Sequence, residues 1–127
     1  MKIIKFKNIS YIPASHENPQ DPGNLKKVLI KASDVIEGKL QMVNWAKIPV
    51  GKAFRMHYHE DMQEIFILIS GIAEMTVDGK SVSLIKGDTV IVPIGKMHTL
   101  KNTGNEELEY VVMGIAQGAN GKTVVVE

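Results

Sequence analysis

On either side of Asp78-Gly79, apolar and polar residues alternate: Ile72-Ala73-Glu74-Met75-Thr76-Val77 before it and Lys80-Ser81-Val82-Ser83-Leu84 after it. A period of two marks a strand with one covered face, and Asp-Gly is a favoured centre for a two-residue type I′ turn, so this stretch is predicted to be a hairpin. Short runs of the same kind predict strands over Phe54 to His59, Gln63 to Ser70, Thr89 to Val92, His98 to Asn102 and Leu108 to Ala116. Turn chemistry recurs between them at Lys86-Gly87-Asp88, Pro93 to Lys96 and Thr103-Gly104-Asn105. Many short strands at such spacing indicate an all-β sandwich or barrel.

The N-terminal third is less regular. Pro13 to Asn24 is rich in Pro, Asn, Asp and Gly, which dictates turns, so it is predicted to be a loop. Lys26 to Lys31 follows as a short strand, and Ser33 to Gly38 as a turn or a single helical turn. Leu40 to Val50 is predicted to be a long strand, with Leu40, Met42, Asn44, Ala46 and Ile48 on one face and Gln41, Val43, Trp45 and Lys47 on the other. Both faces are fairly apolar, as expected of a strand covered on two sides. Between Gly114 and Glu127, Thr123-Val124-Val125-Val126 can add an edge strand, whose exposure would invite aggregation unless it is paired or covered.

Candidate chemistry gathers on three of these strands. His57 and His59 are two residues apart, so in a strand both imidazoles project from one face, and Glu64 and His98 supply two further ligands. A lone strand histidine is usually structural, but three of the four histidines of the chain belong to this set. Neutral imidazole with carboxylate suits Mn, Fe, Ni, Cu or Zn better than Ca or Mg, so one divalent transition metal per chain is the expected cofactor. Four such ligands leave two positions open on a six-coordinate metal, whereas a purely structural site is normally closed by protein.

The spacing around the ligands carries a resemblance. Gly51, five residues, His57, one residue, His59, four residues, Glu64, six residues and Gly71 match the first motif of the cupin family. Gly87, five residues, Pro93, one residue, Gly95, two residues, His98, three residues and Asn102 match the second, fifteen residues after the first. The chain therefore resembles a small single-domain cupin. The resemblance implies a jelly-roll barrel, the double-stranded β-helix, built from residues 1–127 as one domain, with 1–38 as an N-terminal strand and loop segment and 39–116 as the barrel core. It also implies a homodimer, and metal held by His57, His59, Glu64 and His98. Relatives with these ligands include oxygenases, oxalate-degrading enzymes and sugar-phosphate isomerases, so fold and ligand set alone do not choose among them.

Arg55, the single arginine, lies two residues before His57 and on a regular strand would share its inward face, where a guanidinium could hold a substrate carboxylate or phosphate. It is the candidate catalytic and substrate-orienting residue. The plainer alternative is that a bulge near Gly51 takes it to the rim. Phe66 and Leu68 after Glu64, and Leu100 after His98, are the candidate apolar pocket wall, or simply core. Met56, Met62 and Met97 flank the ligands and are expected to serve as packing. His16, in the Pro-rich loop, is expected to be a solvated loop residue, with a lid role or a place behind the ligands as the alternative.

Composition bounds the rest. A chain of 127 residues supports one core. Fifteen basic and fourteen acidic residues, without a like-charge block, favour neither nucleic acid nor a membrane surface. The absence of cysteine excludes disulfides and thiolate ligands. The N-terminus lacks the apolar run of a signal peptide, which makes the cytoplasm the expected location. The function expected is a metal-dependent enzyme, a dioxygenase-type oxidoreductase acting on an oxygen-rich or anionic small molecule. The alternatives are a sugar or sugar-phosphate isomerase and a non-catalytic small-molecule binding protein.

Overall fold

Alternation, turn glycines and β-branched runs resolve into antiparallel strands in the computed structural model, which describes residues 1–118 and 122–126. Among the described residues these are β1 (Ile12–Pro13), β2 (Leu25–Lys31), β3 (Leu40–Ile48), β4 (His57–His59), β5 (Met62–Ser70), β6 (Ala73–Val77), β7 (Lys80–Leu84), β8 (Thr89–Val92), β9 (His98–Asn102), β10 (Leu108–Ala116) and β11 (Thr123–Val125). One sheet has the order β1-β2-β3-β10-β5-β8 and the other β11-β4-β9-β6-β7. This is the jelly-roll sandwich expected. No helix among the described residues is long and apolar enough to cross a membrane.

The Asp78-Gly79 hairpin forms as predicted, with β6 and β7 paired from Val77↔Lys80 to Ala73↔Leu84 and both turn residues at positive φ, 51° and 80°. Gly71 has φ 96°, and a Cβ there would lie 3.1 Å from Leu108 Cα, so the turn from β5 to β6 excludes a side chain on two counts. Asn102 is structural: its Nδ2 donates to the Ile48 and Glu106 carbonyls at 3.0 and 2.7 Å, and its Oδ1 accepts from Gly104 N at 3.0 Å. It sets the loop that returns the chain into β10.

The core lies between the sheets and includes Ile48, Phe54, Phe66, Leu68, Met75, Leu100, Leu108 and Tyr110. β3 presents the faces predicted for it, with Asn44, Ala46 and Ile48 buried, and it stops at Ile48 because Pro49 offers no N–H to extend the ladder. The helical turn is a 3-10 turn over Ala32–Asp34, slightly ahead of its predicted place. β11 is the edge strand expected, pairing with β4 of its own chain; Ala119, Asn120, Gly121 and Glu127 in the predicted C-terminal segment lie outside the described residues.

The predicted strand over Phe54 to His59 needs correction, because only His57–His59 is regular. Phe54 and His57 both point inward, with ring centroids 5.0 Å apart, although they are three positions apart and a regular strand would put them on opposite faces. Strict alternation is thus broken between them, and the inward phase does not extend back to Arg55.

Candidate metal centre and its cavity

Two strands of one sheet and one of the other bring the four ligands together. His57 and His59 occupy alternate positions of β4, and His57 is the cross-strand partner of His98 on β9. Gly95 N donates to the His59 carbonyl at 2.9 Å, fastening the turn before β9 to the end of β4. Glu64 reaches in from β5 of the facing sheet. All four side chains are buried, and one ligand atom from each lies within 4.8 Å of the others.

The orientation of each ring is set from behind. His57 Nδ1 lies 2.6 Å from the Arg55 carbonyl and His98 Nδ1 lies 3.0 Å from the Lys96 carbonyl. A carbonyl only accepts, so both Nδ1 atoms carry hydrogen, and in the neutral tautomer both Nε2 atoms hold lone pairs. His59 Nδ1 is 3.0 Å from Thr123 Oγ1 on β11. In front, His59 Nε2 and His98 Nε2 lie 2.9 and 3.0 Å from the same Glu64 Oε1. For His98 this sets a lone pair against a carboxylate oxygen, an arrangement that asks for a cation between them.

The electrostatics agree. Burial, with the neighbouring His16 and His98, pushes the His57 pKa down to about 3, so this ring is a neutral donor near pH 7. Burial alone would raise the Glu64 pKa, but the adjacent His59 and His98 rings outweigh it and hold the group well below the usual carboxylate range. Three imidazoles and a carboxylate converging on one point fit a divalent transition metal.

Beside the ligands a cavity of about 180 Å³ opens between the sheets. Phe54, Phe66 and Val112 give it apolar walls, and Gly114 leaves room at its edge: a Cβ there would lie 2.4 Å from Met62 Sδ and 3.0 Å from Met42 Sδ. Tyr110 and Asn24 form a closed polar pair, the phenol donating to Asn24 Oδ1 at 3.0 Å while Asn24 Nδ2 donates to the Lys47 carbonyl at 3.2 Å. Burial raises the Tyr110 pKa far above its ordinary value, so it remains a neutral phenol. Lys26 on β2 and Asn44 on β3 also line this space.

Arg55, Leu68 and Leu100 take the plainer of the two places expected of each. Arg55 does not line the cavity; beyond the break in alternation it borders a separate surface depression with Glu17, Asp21 and Lys52. Leu68 and Leu100 share the inward phase of Glu64 and His98 but lie further along their strands, 2% and 0% exposed, in the core beneath the cavity. Phe66 and Met62 do line it. The inward cation is Lys26, paired with Ala46 across β2 and β3. No motif marks it, but its period-two phase in a half-apolar strand was a usable signal.

His16 was expected in solvent and instead stacks on His57, with ring centroids 4.1 Å apart and planes inclined by 21°. Its neighbour Glu17 holds it there. Glu17 accepts from Gly23 N at 2.8 Å and Arg55 N at 2.7 Å, and His16 Nδ1 lies 2.8 Å from the same carboxylate. Burial opposes the Glu17 charge, but these bonds outweigh it and lower the pKa. Gly23 makes the seat possible, because a Cβ there would come within 2.2 Å of the Ala53 carbonyl oxygen. The Pro-rich loop is thereby stitched to the segment leading into the metal ligands.

This chain belongs to the cupin family: the family model described as a cupin domain matches residues 44–114. It is similar to the oxalate-binding protein of Thermotoga maritima, 26% identical over 91 residues, which are 72% of this chain and 75% of that one. It is also similar to quercetin 2,3-dioxygenase of Bacillus subtilis, 37% identical over 51 residues, 40% of this chain and 15% of that one. A sugar phosphate isomerase of the cupin superfamily from Silicibacter pomeroyi has the same fold, with a TM-score of 0.78 and 16% identity over 99% of this chain and 82% of that one.

Proposed function

We propose that this cupin is a metal-dependent oxidoreductase of dioxygenase type that takes a small, oxygen-rich or anionic organic molecule. The observation that carries the reading is the convergence of His57, His59, Glu64 and His98 beside a cavity rather than in a closed shell. When bound there, Mn, Fe, Ni or Cu would polarise a ligand oxygen and supply redox chemistry that Zn lacks. The backbone carbonyls behind His57 and His98 keep both Nε2 atoms aimed at one point, and Phe54 and Phe66 keep bulk water from the ligand's apolar edge. A cavity of about 150 Å³ holds one benzene, so 180 Å³ fits a ligand of roughly six to ten non-hydrogen atoms.

The likeness to the oxalate-binding protein supports a small acid, and the shorter likeness to quercetin 2,3-dioxygenase supports oxygen chemistry. The test is anaerobic loading with each metal, followed by a screen of small organic acids with and without dioxygen. Expected is oxygen uptake upon substrate addition in one metal form. Rearranged product without oxygen would make the protein an isomerase, and binding without product would make it a binding module.

We also propose that it acts as a homodimer. On the outer face of the six-stranded sheet, Ile30, Val43, Met113, Ile65 and Ile91 are successive cross-strand partners, an apolar row with Ile91 61% exposed. A second copy covering that row is the economical way to remove it from water. Met113→Glu should then halve the mass measured by sedimentation; an unchanged mass would refute this interface.

A further inference from the structure

We propose that Lys26 and Asn44 form a subsite for the anionic end of a small carboxylic acid whose other oxygen function reaches the metal centre. The inference rests on the metal-centre reading above and specifies its ligand class. Two unpartnered polar groups on one wall carry it. Asn44 is 6% exposed and lines the cavity, yet its Oδ1 has no hydrogen-bond partner. A buried acceptor without a donor is a standing cost to the fold, which a bound hydroxyl or water removes.

Lys26 stands beside it. The β2–β3 register pairs Lys26 with Ala46 and Val28 with Asn44, so the two side chains occupy successive rows of one inner face. Among the described residues the Lys26 ammonium makes no hydrogen bond or ion pair, and its charge partner is Glu64 across the cavity. Burial lowers the Lys26 pKa and the field of Glu64 partly counters this, so a nearer anion would favour the charged form further. Metal charge at Glu64 would take that carboxylate's field away and leave Lys26 the unneutralised cation of the cavity.

Several other polar groups that line the cavity are already engaged. Tyr110 and Asn24 bond to each other, Asn24 also to Lys47, and His16 to Glu17 through Nδ1. A carboxylate can accept from the ammonium of Lys26, and a water that donates one hydrogen to Asn44 Oδ1 can donate the other to the same carboxylate; the cavity volume holds an acid the size of oxalate with room to spare. The competing arrangement has Lys26 extended to solvent and water on Asn44. In that arrangement neither residue affects anion binding.

The experiment is calorimetric titration of oxalate into metal-free and Mn-loaded protein, with elemental analysis of the same samples. The parent should bind oxalate, and Lys26→Met should weaken binding by about 10- to 100-fold without altering metal per chain. Lys26→Arg should stay within a few-fold of the parent, and Asn44→Leu should lose about tenfold. Lys26→Gln replaces Lys26→Met if that variant fails to fold. No oxalate binding by the parent, or Lys26→Met and Lys26→Gln binding within twofold of it, overturns the inference. Failure to take up metal sinks the metal-centre reading instead, and the Lys26 dependence of oxalate binding to that metal-free protein still decides this one.

Discussion

On the wall built from β4, β5 and β9, each imidazole is anchored through Nδ1, and the carboxylate of Glu64 is met by two ring nitrogens. On a second wall, from β2 and β3 of the sheet that also carries β5, Lys26 has no bonded partner among the described residues and the Asn44 side-chain oxygen has none. Both walls are polar and both are buried among apolar residues, so desolvation bears on both. The difference is that the first turns its ligand atoms toward one another around a single point, whereas the second leaves the Lys26 ammonium and the Asn44 side chain turned into the cavity. The first wall fits an ion, and the second fits the ligand proposed above.

That contrast can be broken at either wall. Removing a ligand should have the largest effect: His98→Ala is expected to abolish stoichiometric metal at micromolar concentrations, measured by elemental analysis after dialysis. Removing only the anchor behind a ligand should be milder. Thr123→Val takes away the hydroxyl facing His59 Nδ1 and should weaken metal affinity by about tenfold, the low end for groups that orient a ligand. Metal affinity unchanged in Thr123→Val would mean that β11 contributes shape alone.

On the second wall the sign reverses. Asn44→Leu replaces a buried amide whose oxygen is unpaired by an apolar group of similar size, which should stabilise the ligand-free protein by about 1–3 kcal/mol while impairing ligand binding. Thermal unfolding without ligand should show a midpoint raised by several degrees. A fall in the midpoint would show that Asn44 holds the fold rather than a ligand.

The smallest effect belongs to the loop that seats His16. Because the Glu17 pKa is lowered by folding from its ordinary 4.5, the folded state binds fewer protons there than the unfolded one. Its contribution is therefore complete above about pH 4.5 and drains away as pH falls through the lower folded value. Glu17→Gln should flatten the acid side of the stability profile and leave the slope near neutrality unchanged. An acid limb identical to the parent's would show that the carboxylate does not hold the loop.

The two walls also differ in how plainly the sequence displays them. The ligand wall was legible because its residues are chemically distinctive and stand at fixed distances from glycines that turn strands, and the turn glycines Gly51, Gly71, Gly87 and Gly95 all have positive φ. The strands were legible for a similar reason, since period-two alternation survives in sequence. Arg55 was misplaced because the inference required regular strand geometry through residues 54–56, where a local break reverses the inward phase. His16 was misplaced because a Pro-rich loop has no period, and its seat depends on a long-range bond between Glu17 and the Arg55 amide. Lys26 lacked any local mark beyond its phase: the cavity it faces exists only once β2, β3 and β4 are assembled. Local spacing therefore revealed the metal wall, and tertiary assembly was needed for the other.

Of the three anchors behind the histidines, two are main-chain carbonyls, those of Arg55 and Lys96, and one is a side chain, Thr123. Substitution at positions 55 and 96 changes the side chains but leaves the anchoring oxygens in the polypeptide. The orientations of His57 and His98 are consequently insulated from mutation, and His59 alone is oriented by a group that a single codon change can remove. Evolutionary tuning of this centre, short of altering a ligand, has one accessible dial, carried on the outermost strand of its sheet.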